Sequence, residues 1–167
     1  MTGCWLIILR ILCAIQLVLT IYSSFFSLAG LITVGGVGYL LQAIAFALIA
    51  ALPMRVFMIL GNNYPNKVLE GKEKKIFNRV FLVNVLLISF LLAFVIRDFR
   101  EAVRLSKISA ALAPHQWTFP YYYDFIMSLS MLIIHLCILY SLYWLRTQII
   151  INARNRQFDF EMQDENI

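Results

Sequence analysis

The sequence predicts an all-α polytopic membrane protein, a bundle of four transmembrane helices with an amphipathic segment between the third and fourth. Three observations predict it. First, 62% of the 167 residues are hydrophobic and 14% are charged, with a mean hydropathy of +0.80. Soluble domains average about 45–50% apolar and about 25% charged, so this chain has too few polar side chains to cover a surface in water. Second, the apolar residues gather into four runs, each near the ~20 residues that cross a hydrocarbon core of about 30 Å. Third, the basic residues flank these runs, and no Lys or Arg lies between Arg10 and Arg55.

The spans fall at about residues 5–28, 39–60, 79–96 and 121–145 of a single membrane domain, 1–167. The first is too long for the core of a secretory signal, and Arg10 lies inside it. A small-residue pair at Ser27 and Ala29 therefore reads as part of a span and not as a cleavage site. Gly30, Gly35, Gly36 and Gly38 follow in a segment without charge, which favours an interfacial turn. In the second span Pro53 predicts a kink near Ala50–Leu52, close to the exit from hydrocarbon. Ala43, Ala47 and Ala50 form a small-residue face suited to close helix packing. Residues 61–78 read as a polar loop, with Lys67, Lys72, Lys74 and Lys75.

After the short third span, Arg97, Arg100, Glu101, Arg104 and Lys107 interleave with Val103, Ile108, Ala111 and Leu112. This pattern suits a helical extension or a helix lying at the interface. Pro114 and Pro120 bracket the next loop. The fourth span is flanked by Trp117, Phe119, Tyr121, Tyr122 and Tyr123 on one side and Tyr140, Tyr143 and Trp144 on the other, as rings at two headgroup levels would be. Residues 146–167 form a short tail, a helical continuation with an acidic end. With the first terminus inside, ten Lys and Arg lie inside and four outside. The positive-inside rule then places both termini and the tail in the cytoplasm.

Polar groups inside hydrocarbon are costly and suggest function by default. Asp124, Ser128, Met131 and His135 are spaced by four, three and four, so they share one helix face. Asp124 and His135 are eleven residues apart, about 16 Å along the axis, and cannot touch. Cys13, Gln16, Thr20, Ser23 and Ser27 make a second stripe on the first span. With Gln42 and Asn84 they form a candidate polar face that must point inward, with interhelical hydrogen bonding as the simpler account. Arg10 reads as snorkelling to headgroups or pairing with a partner's carboxylate. The cluster Lys72, Lys74 and Lys75 reads as a topology signal that also attracts anionic lipid.

Much chemistry is excluded. The basic residues flank apolar runs and form no aromatic-interleaved, water-facing surface, so nucleic acid is not an expected partner. Cys4, Cys13 and Cys137 form no CxxC and behave as small hydrophobes. No phosphate loop, HExxH or GxSxG is present, and two histidines cannot ligate a bis-haem bundle. The first span lacks the acidic residue of small four-helix multidrug exporters. No catalytic set, cofactor or metal site is expected. The sequence thus reads as a small non-enzymatic membrane protein that contacts another membrane protein through its helices, as an accessory subunit, assembly factor or immunity-type inhibitor. The alternative is a homo-oligomeric channel or transporter for a proton, ion or small solute. A membrane enzyme using Asp124 and His135 is a third, requiring both to face one cavity.

Overall fold

In lipid, backbone N–H and C=O groups find no water, so each spanning segment must satisfy its own hydrogen bonds. The computed structural model meets this with helices alone. It describes residues 2–112 and 119–164, and the side chains of residues 4–111 and 121–156. The elements are α1 (Thr2–Thr33), α2 (Val37–Asn63), α3 (Gly71–Leu112), a 3-10 turn (Phe119–Tyr122) and α4 (Tyr123–Asp164). All four α-helices are long and apolar enough to cross a bilayer, and the chain is an integral membrane protein.

The helices run up, down, up and down, so the bundle has two ends. The α1 N-terminus, the α2–α3 connection and the start of α3 meet at a basic end with Lys67, Lys72, Lys74 and Lys75, all exposed. The α1–α2 turn, the end of α3 and the 3-10 turn make the far end. α2 and α4 touch across the middle, and α1 and α3 occupy opposite corners. α4 is the central element: 44% of its apolar window is buried, against 22% for α1 and 17% for α3.

The α1–α2 turn is tighter than a loop of ten residues. Only Val34, Gly35 and Gly36 separate the helices. Gly35 and Gly36 have φ of 76° and 112°, a backbone that L side chains rarely adopt. Val34 N–H donates to the Gly30 carbonyl and Gly35 N–H to that of Leu31, which caps α1 without side chains. Gly30 serves a different need. A Cβ there would lie 2.7 Å from the Tyr39 ring, so its hydrogen lets α1 and α2 close at this end.

Several sequence expectations shift. Pro53 lies inside α2, as expected, but deeper in the packing than an exit from hydrocarbon suggests: it is itself buried, and Val56 and Leu60 beyond it are at 0% exposure. The alanine face is not the packed face. Ala43 is buried but Ala47 is exposed, and α2 buries Phe46, Ile49, Val56 and Leu60 instead. Without a hydrophobic drive between helices, van der Waals contact decides. Phe46 gains more of it than an alanine can, with ring centroids 5.3 Å from Phe94 and 6.0 Å from Phe90. The polar loop contracts to residues 64–70, because α3 begins at Gly71. Of the two forms expected for the amphipathic segment the helical extension holds: α3 runs unbroken for 42 residues, about 63 Å at 1.5 Å per residue. The tail continues α4 as a helix, as the sequence led us to expect. Pro114 and Trp117 lie outside the described residues.

The close approach at Gly30 yields a prediction. Gly30→Ala should destabilise the bundle by about 1–3 kcal/mol, the usual cost of overpacking, read as a lower unfolding midpoint in detergent. In a Tyr39→Ala background the same change should cost nothing further.

Candidate functional site

The inward faces of the four helices diverge at the far end and leave a vestibule of about 610 Å³. α1 lines it with Tyr22, Ser23, Phe26 and Ser27, and α2 with Tyr39, Gln42 and Phe46. α3 adds Leu91, Phe94, Arg97, Asp98 and Glu101, and α4 adds Tyr123, Asp124, Met127, Ser128 and Met131. The wall therefore carries three carboxylates against one guanidinium, with phenol and serine hydroxyls between them.

The charges are unevenly satisfied. The Arg97 guanidinium meets the Asp98 carboxylate at 2.7 Å, with the Asp98 side chain only 10% exposed. The same guanidinium lies 4.3 Å from the Phe94 ring centroid, a cation–π contact that holds it against its own helix. Glu101 is engaged at 2.7 Å by Arg104, an exposed i,i+3 pair of the kind worth little in water. Asp124 has no ion pair with any described residue. It is the wall's available anion.

Below the vestibule the interior is layered. Its floor is apolar: Phe46, Leu91 and Met131 belong to a buried cluster with Ile49, Val95 and Leu132. A second apolar cluster fills the basic end, with Leu9, Cys13, Val56, Leu60, Phe77, Ile138 and Leu142. Between the two lies a polar level. Gln16 comes between Cys13 of one cluster and Leu19 packed on the other; Asn84 between Phe81 and Leu87; His135 between Ile138 and Met131. All three are at most 1% exposed.

Among the described residues one hydrogen bond joins this level across helices: His135 Nε2 lies 3.2 Å from the Asn84 carbonyl oxygen. A carbonyl only accepts, so Nε2 carries the hydrogen, and in the neutral ring Nδ1 is then an acceptor. That Nδ1, the Asn84 Oδ1 and both amide atoms of Gln16 have no hydrogen-bond partner among the described residues.

The polar residues singled out from the sequence all turn inward, but into two places. Asp124, Ser128, Ser23, Ser27 and Gln42 surround the vestibule. Gln16, Asn84 and His135 occupy the buried level, with Thr20 buried above Gln16. The apolar floor separates Asp124 from His135, so the two face no common cavity. The expected interhelical hydrogen bonding is mostly absent. Thr20, Ser27, Ser128 and Ser141 donate to carbonyls three or four residues back on their own helix. Ser24 does cross, to the Ala43 carbonyl at 3.5 Å, as His135 does to the Asn84 carbonyl. Arg10 is exposed, has no acidic partner among the described residues, and lies 6.0 Å from the Phe57 ring. Lys72, Lys74 and Lys75 are at the opposite end from the vestibule.

Sequence reasoning missed Arg97, Asp98 and Glu101 as wall residues, because a charged stretch past a span reads as a headgroup segment. A signal was available. Asn84, Leu91, Asp98 and Leu105 are each seven residues apart, so the inward face of α3 continues through Asp98 to the end of the vestibule wall.

Gln16 offers a test. Neither of its amide atoms has a partner, so Gln16→Leu should leave stability within about 0.5 kcal/mol or raise it, since an orphaned polar group contributes nothing favourable. His135→Phe should lower stability by about 0.6–1.7 kcal/mol, the range for a lost hydrogen bond between membrane helices. Equilibrium unfolding in mixed micelles measures both. No family model, curated protein or solved structure matches this chain, so its function is read from this geometry alone.

Proposed function

We propose that the protein is a small non-enzymatic membrane protein that binds another membrane protein, as an accessory subunit, assembly factor or immunity-type inhibitor, and that the vestibule receives a cationic group of that partner. The carrying observation is the vestibule wall, where three carboxylates face one guanidinium and Asp124 has no ion pair with a described residue. Aromatic faces in the same wall favour a cation as well. A partner protein fits the exposed length of α1 and α3, whose apolar windows are 22% and 17% buried and so leave long faces for a neighbour's helix. On the positive-inside reading the vestibule opens on the outer side of the membrane and both termini are cytoplasmic.

A second reading is a transporter or channel for a small cation. It is favoured by one observation, the volume of about 610 Å³, which falls in the range of about 300–1,000 Å³ typical of small-ligand pockets. The apolar floor weighs against conduction through a single bundle. The enzyme reading is weaker still, because Asp124 and His135 lie on opposite sides of that floor.

Photo-crosslinking in native membranes tests the proposal. A crosslinkable residue replacing Tyr22, on the vestibule rim, should yield one discrete heteromeric adduct. Ile133, 53% exposed on α4, should yield lipid adducts only. Asp124→Asn should lower the protein adduct several-fold. No protein adduct from Tyr22, together with organic-cation flux into liposomes holding the purified protein, would replace this reading with the second.

A further inference from the structure

We infer that a slot at the basic end binds the phosphate of an anionic lipid headgroup. The slot lies between α2, the α2–α3 connection, α3 and α4. Its walls are apolar, with Leu60, Leu69, Ile149 and Ile150, and its two polar lining residues are Lys74 and Arg146. Its volume is about 70 Å³, several times the ~10–15 Å³ of such space that one water needs, so it admits a small group such as a phosphate.

The two cations are available. Both ion pairs among the described residues are at the far end, on α3 beyond the span. The adjacent carboxylate, Glu73, accepts a hydrogen bond from Asn63 Nδ2 at 3.1 Å, and Glu70 is exposed in the connection and pairs with neither cation. Arg146 is also held in place: its guanidinium lies 4.6 Å from the Phe77 ring centroid. Stacking on a ring face leaves the N–H groups at the guanidinium edge free to meet phosphate oxygens in a fork.

The frame is tied down from α4. Asn152 Nδ2 donates to the Pro65 carbonyl at 3.1 Å. With its amide oriented to suit, Asn66 accepts from the Arg156 guanidinium at 2.7 Å. The connection that walls the slot therefore cannot swing away without breaking both.

Depth points to lipid over free phosphate. Trp5 and Trp144 pair at 5.3 Å between ring centroids, two residues before Arg146. Indoles collect at headgroup level, so Arg146 lies where lipid phosphates lie. A free phosphate would leave the leucine and isoleucine walls wetted beside it, whereas a glycerolipid covers them with its upper acyl carbons.

Native mass spectrometry of the full chain in mild detergent tests this, with three probes: phosphatidylglycerol, phosphatidylcholine of the same chains, and inorganic phosphate. Phosphatidylglycerol adducts should survive collision energies that strip phosphatidylcholine. Lys74→Gln with Arg146→Gln should reduce their retention at least fivefold. Lys72→Gln with Lys75→Gln, which removes the same charge outside the slot, should leave retention within twofold. Lys74→Arg keeps the charge and should bind as the parent does, which separates loss of the site from loss of the fold. Equal retention of the two lipids, or equal loss in both double variants, overturns the site. Displacement of the lipid by equimolar inorganic phosphate overturns the lipid as its occupant.

Discussion

Hydrocarbon offers no hydrogen bonds, and this one deficiency organises the molecule. It forces each crossing into an unbroken helix, and it draws the amide and imidazole groups of Gln16, Asn84 and His135 into the interior, while Arg10 and Ser89 stay exposed. The apolar side chains need no such direction, because acyl chains solvate them as well as a protein interior does. α1 shows the result. Its buried line is Leu9, Cys13, Gln16, Thr20 and Ser27, while Ile8, Ile15, Val18 and Phe25 are exposed. In water such a helix would be inside out; here the polar stripe is what fixes its rotation about its own axis.

The same deficiency explains what was legible in the sequence. Four long apolar runs gave the crossings, and the spacing of Asp124, Ser128, Met131 and His135 gave the inward face of α4. Neither inference needs knowledge of the neighbours. What failed depended on them. The choice of Phe46 over the alanines as the packed face of α2 rests on Phe90 and Phe94, which lie more than forty residues away in sequence. The full length of the α3 helix was less legible for a related reason. Lys72, Lys74, Lys75 and Arg97 mark where hydrocarbon ends, but a helix in water or at the headgroups is free to continue, and α3 continues at both ends. Charge locates the membrane and not the end of the helix. The vestibule is a product of that extension: Asp98 and Glu101 belong to helix that has left the span but still faces its neighbours.

The hydroxyl groups illustrate how a polar face can be inward and yet bond nothing across it. A serine or threonine on a helix can donate to a carbonyl three or four residues back, and Thr20, Ser27, Ser128 and Ser141 all do so. This satisfies the donor without any partner helix. Amide and imidazole groups are too demanding for that device. Asn84 satisfies its Nδ2 on the Val80 carbonyl at 2.9 Å but leaves Oδ1 unmet, and Gln16 satisfies neither atom. The interior polarity of this protein is therefore of two kinds. The hydroxyls are closed locally, while the groups at the level of His135 remain open in the middle of the bundle.

The two ends differ in how their charges are met, and this difference separates their roles. At the far end Arg97 and Arg104 are each held by a carboxylate of their own helix, and within the vestibule wall the carboxylates outnumber the guanidinium, with Asp124 in no ion pair with a described residue. At the basic end Lys74 and Arg146 have no such partner among the described residues, and the adjacent Glu73 is engaged by Asn63. A bundle needing only to fix its orientation could scatter its cations over the loop, as Lys67, Lys72 and Lys75 are scattered. Orientation alone does not require a guanidinium stacked on Phe77 beside a lysine at the mouth of an apolar slot. On the proposed readings the vestibule receives a cation and the slot an anion, and two apolar clusters with one buried polar level between them separate the two.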